Sequence, residues 1–217
     1  MADLDNQTER YQLVVFVGPS GSGKTMGQQY LKEWGYVPVH AIQPLYEAMA
    51  IASGVDAWRL QNEKNEHYLS NEITVADWLR ECFEMDLKLG SKVGCHFLKN
   101  GFAKQLEEHK RVSLASLRSP AEVGGLMAAI APLPVDVRVF RISWAEDARY
   151  YEHPADVNLL ETQAHLVAAL YDVSSKAGSS VRCRTRDHIN RLKTWVSPAE
   201  ARAAFFRDLN KLMVAEF

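Results

Sequence analysis

Apolar positions fall into short runs that alternate with longer amphipathic stretches along most of the chain. Residues 12–17 form a run long enough for a buried strand and too short for a buried helix. Runs at residues 36–40, 111–117 and 136–143 predict three further strands, the last rich in β-branched side chains. A shorter run at residues 180–183 predicts a last, short strand.

Between these runs, apolar residues recur at helical spacing, often bounded by capping residues. The predicted helices cover residues 25–35, 44–54, 74–89, 91–110, 153–172 and 198–214, and a further helix starts at Ser119. Strands that alternate with helices predict a three-layer α/β fold, a parallel sheet flanked by helices. Ligands of such a fold bind at the carboxyl ends of the strands.

The domain organisation follows from the same pattern. Residues 1–10 are polar and predict a flexible tail, and residues 11–217 predict a single domain. Residues 55–70 are polar and weakly periodic, and we interpret them as a loop and short helix covering a ligand site. With the two helices that follow, they predict a helical substrate-binding region at about residues 55–110.

Composition narrows the class of protein. Hydrophobic residues make up 47% and charged residues 24% of the 217 residues, which excludes a disordered chain. The net charge of −2 gives no overall attraction to nucleic acid or anionic membranes, so any polyanion site must be local. Three widely spaced cysteines, a polar N-terminus and the lack of a long apolar run favour a soluble protein in a reducing cytoplasm, with no membrane partner.

The clearest motif follows the first predicted strand. It matches the pattern G-x-x-x-x-G-K-[ST] at every fixed position, over Gly18, Pro19, Ser20, Gly21, Ser22, Gly23, Lys24 and Thr25. Glycines let successive backbone N–H groups turn toward phosphate oxygens, and the next helix adds its positive N-terminal end. Lys24 can reach the β- and γ-phosphates, and the Thr25 hydroxyl can bind Mg²⁺. We therefore expect ATP and Mg²⁺ as cofactors, the alternative being a plain Gly/Ser turn.

The rest of the chain favours a kinase over other proteins with this loop, which we call the P-loop (residues 18–25). Guanine selectivity usually needs N-K-x-D, which the sequence lacks. Oligomeric ATPases need an acid after a neighbouring strand, but Ser116 and Leu117 stand there. Asp136 lies at the wrong end of its strand to replace that acid.

Four stretches, in order, resemble the deoxynucleoside monophosphate kinases of bacteriophages, a branch of the thymidylate-kinase-like fold. Residues 40–48 (HAIQPLYEA) resemble the family's F-A-D-P-L-K-E-A, and residues 74–90 resemble its T-x-R-E-L-L-Q helix. Residues 115–122 (ASLRSPAE) resemble S-D-V-R-F-P-N-E, and residues 187–190 (DHIN) resemble its closing D-H-V-I-x-N. This resemblance implies an ATP-dependent phosphotransferase with a nucleotide-like acceptor.

Three substrate-side positions depart from the family pattern. Gln43 and Ser116 stand where the family has acids, and Tyr46 stands where it has a lysine. The departures suggest an acceptor that is held differently from an ordinary deoxynucleotide. Some phages carry a similar kinase that phosphorylates the hydroxymethyl group of 5-hydroxymethyluracil in DNA. A base flipped out of the duplex needs an aromatic or apolar pocket, which Tyr46, Trp58 or Tyr68 can line.

A basic segment near the C-terminus supplies a candidate polyanion site. It carries five basic residues around a single acid: Arg182, Arg184, Arg186, Arg191 and Lys193. The alternation of the first three predicts one strand face with a shared anionic partner, either DNA or a nucleotide phosphate. The alternative interpretation is a solvated basic face.

Arg118 is the candidate that would contact the acceptor or the transferring phosphoryl group, because it follows a strand at the carboxyl edge. The neighbouring Ser119 and Glu122 are explained by a helix cap, which leaves Arg118 unexplained. Glu84 and Asp86 are the nearest candidates for a catalytic base. Residues that are two positions apart on a helix do not share a face. The simpler interpretation is that both side chains are exposed.

The sequence thus predicts a kinase with Lys24 and Arg118 as catalytic residues. Its candidate acceptor-binding residues are Gln43, Tyr46, Arg118, Arg182, Arg184 and Arg186. We favour transfer to the hydroxymethyl group of 5-hydroxymethyluracil in DNA over transfer to free deoxynucleoside monophosphates. A non-catalytic, ATP-switched binding protein is a third alternative. The oligomeric state stays open, with a homodimer as one option.

Overall fold

The computed structural model describes residues 10–63, 73–144, 159–191 and 197–215. Five strands form one sheet: β1 Tyr11–Val17, β2 Val37–His40, β3 Arg111–Ala115, β4 Val135–Trp144 and β5 Arg182–Arg191. All neighbouring strands run parallel, in the order β2-β3-β1-β4-β5. The sheet confirms the α/β class predicted from the alternation of strands and helices.

Eight α-helices connect and flank the strands in the described part of the chain. They are α1 Lys24–Leu31, α2 Gln43–Ser53, α3 Ala57–Asn62, α4 Val75–Lys88, α5 Lys92–His109, α6 Pro120–Ile130, α7 Leu159–Ser175 and α8 Pro198–Val214. Thr74 and Ser197 begin α4 and α8 with complete capping boxes. Since these caps satisfy the first backbone N–H groups, the helices begin where the sequence predicts.

The helices cover both faces of the sheet. Leu13 and Val15 of β1 pack with side chains of α5, α6 and α7 in one core cluster. Val14 and Phe16 of the same strand point to the other face, where they pack with α1 and α8. Because β1 is buried on both faces, its sequence reads as a continuous apolar run.

The predicted helical substrate-binding region divides between two parts of the structure. Helix α5 belongs to the main core, because Leu98, Phe102 and Leu106 pack against the sheet. Helices α2, α3 and α4 form a smaller cluster of their own. Residues 64–72 and the candidate Tyr68 lie outside the described residues.

Arg10, expected to belong to a loose tail, makes hydrogen bonds with three residues. Its Nε donates to Asp136 Oδ1 at 2.7 Å, and Nη2 donates to the carbonyls of Val135 and Ser180. These contacts hold the start of β1 against the starts of β4 and β5. Arg10 is therefore anchored to the sheet, and residues 1–9 lie outside the described residues.

Strand β5 is much longer than the predicted strand at residues 180–183. Its register against β4 shifts between Arg184 and Asp187, where three steps of β5 face two steps of β4. This irregularity interrupts the strict alternation that would place Arg182, Arg184 and Arg186 on one face. The regular pairing therefore covers Arg182 and Arg184, and the shared face with Arg186 stays a prediction.

Arg138 on β4 is buried and stabilises the end of α8. Its guanidinium donates to the carbonyls of Met213 and Ala215 at 3.3 and 3.0 Å. Charged hydrogen bonds of this kind contribute about 1.5–3 kcal/mol. We expect Arg138→Met to lower the free energy of unfolding by about 2–4 kcal/mol.

Urea unfolding followed by circular dichroism measures this change. Arg202→Met is the matched control, because Arg202 is exposed and lies over the Phe206 ring at 5.2 Å. The control should lose less than about 1 kcal/mol. Equal losses for the two variants would show that the bonds to α8 contribute nothing of their own.

Candidate active site

The P-loop connects the carboxyl end of β1 to α1. Gly21 and Gly23 have φ of 73° and 102°, a region that glycine adopts without the strain of a side chain. Gly23 is the N-cap of α1, and the Gly27 N–H donates to its carbonyl at 2.9 Å. The loop therefore presents the N-terminal end of α1 at the edge of the sheet where β1 ends.

Gly18 is needed for a close approach of the loop to β4. A Cβ at this position would lie 2.5 Å from the carbonyl oxygen of Ile142 and 3.0 Å from Ser22 Oγ. Ser22 Oγ is itself buried and has no hydrogen-bond partner among the described residues. The loop thus contains a buried polar atom for which the described protein supplies no partner.

Lys24 directs its ammonium group back over the loop. Its Nζ donates to the carbonyl oxygens of Gly18 and Pro19 at 2.8 and 2.7 Å. These bonds hold the positive charge of Lys24 next to the backbone of the P-loop.

A cavity of about 60 Å³ adjoins the P-loop. It is lined by Gly18, Ser20, Lys24, Ser116, Leu117, Arg118 and Leu159. The first three residues after β3 therefore line the same small cavity as the P-loop lysine. The structure brings together Lys24 and Arg118, the two predicted catalytic residues.

Arg118 lies in a buried ion network. Its Nη2 donates to Asp86 Oδ2 at 3.0 Å and to Glu122 Oε1 at 2.7 Å, and its Nε donates to the same Glu122 oxygen at 3.2 Å. The side chain is 4% exposed and lies over the Phe83 ring at 4.6 Å. Nη1 has no hydrogen-bond partner in the described part of the chain.

Two carboxyl groups face the single guanidinium in this network. Burial raises the pKa of Glu122, Arg118 opposes that rise, and Asp86 adds to it. Glu122 fits because Gly94 of α5 has no side chain, as a Cβ there would lie within 3 Å of the carboxyl group. Two carboxylates thus share one arginine, and little of its charge remains for a ligand.

The expectation that Asp86 is a surface charge is wrong, whereas Glu84 is partly exposed. Asp86 also accepts a hydrogen bond from the Val93 N–H at 3.0 Å. The signal was present in the sequence, because Asp86 follows Leu79 and Phe83 at helical spacing on the buried side of α4. A carboxylate at an apolar position of a helix indicates a buried partner.

Tyr46 of α2 lies near this network, and His40 at the end of β2 packs against Tyr46. Burial raises the pKa of Tyr46 to about 12, an effect that Arg118 partly offsets, so the phenol stays neutral. Its ring lies 6.0 Å from that of His40 in an edge-to-face arrangement. His40 is buried, and its Nδ1 lies 3.4 Å from Ser116 Oγ. Sequence reasoning did not single out His40.

Gln43, a predicted acceptor-binding residue, is engaged in contacts between α2 and α3. It donates to Glu47 at 3.2 Å and accepts from Gln61 at 2.8 Å. It lines a separate pocket of about 290 Å³ together with Trp58. That pocket opens at the β2 edge of the sheet and does not include the P-loop.

Arg182 and Arg184 lie at the amino-terminal ends of the strands, whereas the P-loop lies at the carboxyl end of β1. Arg182 pairs with Asp136, which pairs with Gln12 at the start of β1. At about 3.3 Å per residue, that start is roughly 20 Å from the P-loop. Arg184 donates to the Ala215 carbonyl at 3.2 Å.

The other basic residues of the segment divide between β5 and undescribed positions. Arg186 lies within the register shift of β5, and Arg191 lies at the carboxyl end of that strand. Lys193 lies outside the described residues. The structure therefore does not bring Arg182 and Arg184 to the P-loop.

The residues of the P-loop fit a Mg²⁺ ion held mainly by its nucleotide. In the described ranges no group of three or more His, Cys, Asp or Glu side chains is placed to hold a metal. Thr25 is partly exposed at the start of α1 and can offer its hydroxyl. Mg²⁺ commonly keeps several waters and binds one or two protein groups together with substrate phosphates.

None of the helices in the described ranges is both long enough and apolar enough to cross a membrane. No protein-family model and no curated protein sequence matches this chain.

Among solved structures, similar chains include a thymidylate kinase from Ehrlichia chaffeensis and a gluconokinase from Sinorhizobium meliloti. The first is 12% identical, with a TM-score of 0.36, over 94% of this chain and 99% of the other. The second is 13% identical, with a TM-score of 0.31, over 94% of this chain and 93% of the other. Similarity at this level identifies neither a substrate nor an activity.

Proposed function

We propose that this protein is an ATP-dependent phosphotransferase. The observation that carries the proposal is the complete G-x-x-x-x-G-K-T loop, folded between β1 and α1, with Lys24 and Arg118 lining one cavity. The loop amides and Lys24 bind the triphosphate, and the Thr25 hydroxyl helps to hold Mg²⁺. When Mg²⁺ is bound, it neutralises part of the phosphate charge.

We further propose that the acceptor is a neutral hydroxyl group. A phosphate acceptor would need cations, but Arg118 is already shared by Asp86 and Glu122. The nearby Ser116 and Tyr46 offer hydroxyl groups instead of charges, and the phenol of Tyr46 stays protonated because its pKa is about 12. The surroundings favour an uncharged group over a dianion.

Among hydroxyl acceptors, 5-hydroxymethyluracil in DNA is our first candidate. Support comes from Gln43, Tyr46 and Ser116, which depart from the pattern of the deoxynucleoside monophosphate kinases that the sequence resembles. Arg182 and Arg184 no longer support this acceptor, because they lie near the far edge of the sheet. Binding of the DNA phosphates must therefore use other residues.

Free deoxynucleoside monophosphates are the second candidate. One observation favours them: Nη1 of Arg118 has no hydrogen-bond partner among the described residues, and Arg118 lines the cavity beside Lys24. A single guanidinium N–H can bind one phosphate oxygen.

Transfer of labelled γ-phosphate separates the candidates. Parallel reactions would contain duplex DNA with 5-hydroxymethyluracil, the same DNA with thymine, the four deoxynucleoside monophosphates, and 5-hydroxymethyl-deoxyuridine monophosphate. We expect label only in the modified DNA, on the hydroxymethyl oxygen, located by nuclease digestion and mass spectrometry.

Nucleoside diphosphates as the labelled products would overturn the DNA acceptor and establish the second candidate. Binding of ATP without transfer to any acceptor would instead indicate a nucleotide-switched binding protein. Lys24→Ala is the blank in each reaction.

A further inference from the structure

The backbone at the end of β3 is strained at a single residue. Ser116 has φ of 71°, a left-handed conformation that costs a residue with a side chain about 1 kcal/mol. Such strain persists where the surrounding structure enforces it, and it concentrates at functional sites. Ser116 lines the cavity that contains Lys24, so the strained residue lies in the candidate active site.

Behind this hydroxyl lies a buried histidine. His40 ends β2, and its backbone pairs with Ala115, the residue before Ser116. The imidazole Nδ1 lies 3.4 Å from Ser116 Oγ, and the Tyr46 ring packs against the imidazole edge-on. Ser116 is partly exposed and His40 is 6% exposed, so the serine hydroxyl is the more accessible member of the pair.

The carboxylates nearest to Arg118 are unsuited to act as the base. Asp86 and Glu122 are both bonded to Arg118, and among the described residues that line the cavity none is acidic. Neither of them lines the cavity that contains Lys24.

We propose that Ser116 and His40 form a proton relay for the acceptor hydroxyl. This inference rests on the proposed phosphotransferase function and specifies its base. As the acceptor oxygen forms its bond to the γ-phosphorus, its proton passes to Ser116 Oγ, and the Ser116 proton passes to Nδ1 of neutral His40. The bond from the γ-phosphorus to the bridging oxygen breaks, and ADP leaves with that electron pair. The products are the phosphorylated acceptor, ADP and the His40 imidazolium.

The relay is tested with His40→Gln and Ser116→Gly, using DNA that contains 5-hydroxymethyluracil and all the other acceptors named above. Glycine suits the φ of residue 116, so Ser116→Gly removes the hydroxyl without disturbing the backbone. Lys110→Gly is the matched control, because Lys110 has φ of 63° at the opposite end of the same strand.

We expect kcat to fall by about 10²- to 10³-fold in both test variants, with the KM for ATP within about threefold of the wild-type value. The wild-type kcat should rise with pH along an acidic limb, and this limb should disappear in His40→Gln. Lys110→Gly should retain the wild-type kcat and pH profile.

Wild-type kcat values and an unchanged low-pH limb in both test variants would overturn the relay while leaving the phosphotransferase intact. A wild-type protein that phosphorylates none of the acceptors would overturn the proposed function, and the relay with it. Thermal unfolding of each variant identifies losses of kcat that come from misfolding. If His40→Gln is misfolded, the kcat of Ser116→Gly decides the test.

Discussion

Lys24→Ala is expected to reduce kcat/KM for γ-phosphate transfer by about 10²- to 10³-fold. Lys24 holds its ammonium against the Gly18 and Pro19 carbonyls, inside the loop that the triphosphate would occupy. Removing one preorganised charge at a transferring phosphoryl group typically costs this much. Initial rates with labelled ATP measure the change.

Lys32→Ala is the control for this variant, because Lys32 is an exposed lysine directly after α1. It should leave kcat/KM and the melting temperature unchanged. If Lys24→Ala transferred phosphate at the rate of Lys32→Ala, the P-loop would not be the site of transfer.

Arg118→Ala is expected to lower the free energy of unfolding by about 3–5 kcal/mol, the largest effect on stability that we expect. The substitution leaves the carboxyl groups of Asp86 and Glu122 buried without their shared cation. Arg80→Ala, which breaks only the exposed pair with Asp77, should cost less than about 1 kcal/mol. Urea unfolding at pH 7 compares the two variants.

The pH dependence of the Arg118→Ala variant gives a second readout. The pKa of Glu122 is already raised by burial in the wild-type protein, and losing Arg118 raises it further. A carboxyl group with a raised folded-state pKa binds more protons folded than unfolded, so stability falls as pH rises above its ordinary value of about 4.3. The variant should therefore lose more stability at pH 8 than at pH 5.

Replacing all three charged residues of this network offers a further comparison. The combination Arg118→Met, Asp86→Leu and Glu122→Met should recover much of the stability, because no buried charge remains. A triple variant as unstable as Arg118→Ala, or Arg118→Ala no less stable than Arg80→Ala, would contradict this view of the network.

The sequence predicted the elements better than the contacts between them. The P-loop, the capped starts of α4, α6 and α8, and the apolar run of β1 follow from local pattern, which is why they were predictable. The surroundings of Arg118 depend on Asp86, which is 32 residues away on α4. Only the tertiary structure brings these two residues together.

The basic segment illustrates a second limit. Arg182 and Arg184 were predicted as site residues because they belong to a charge cluster on a predicted strand. The sequence does not show which end of that strand lies near the P-loop. In a parallel sheet all strands begin at the same side, and the P-loop follows the opposite, carboxyl end of β1. Residues at the start of β5 therefore lie far from the P-loop. The length of β5 and its register shift depend on pairing with β4, which local pattern does not reveal.

The central claim is that residues 18–25 bind a nucleoside triphosphate, and calorimetric titration with Mg²⁺-ATP tests it most directly. We expect one site per chain with Kd between about 1 µM and 1 mM, and affinity reduced at least about tenfold by Lys24→Ala but unaffected by Lys32→Ala. No detectable binding up to about 5 mM ATP, well above that range, or equal affinity of Lys24→Ala and the wild-type protein, would contradict the account.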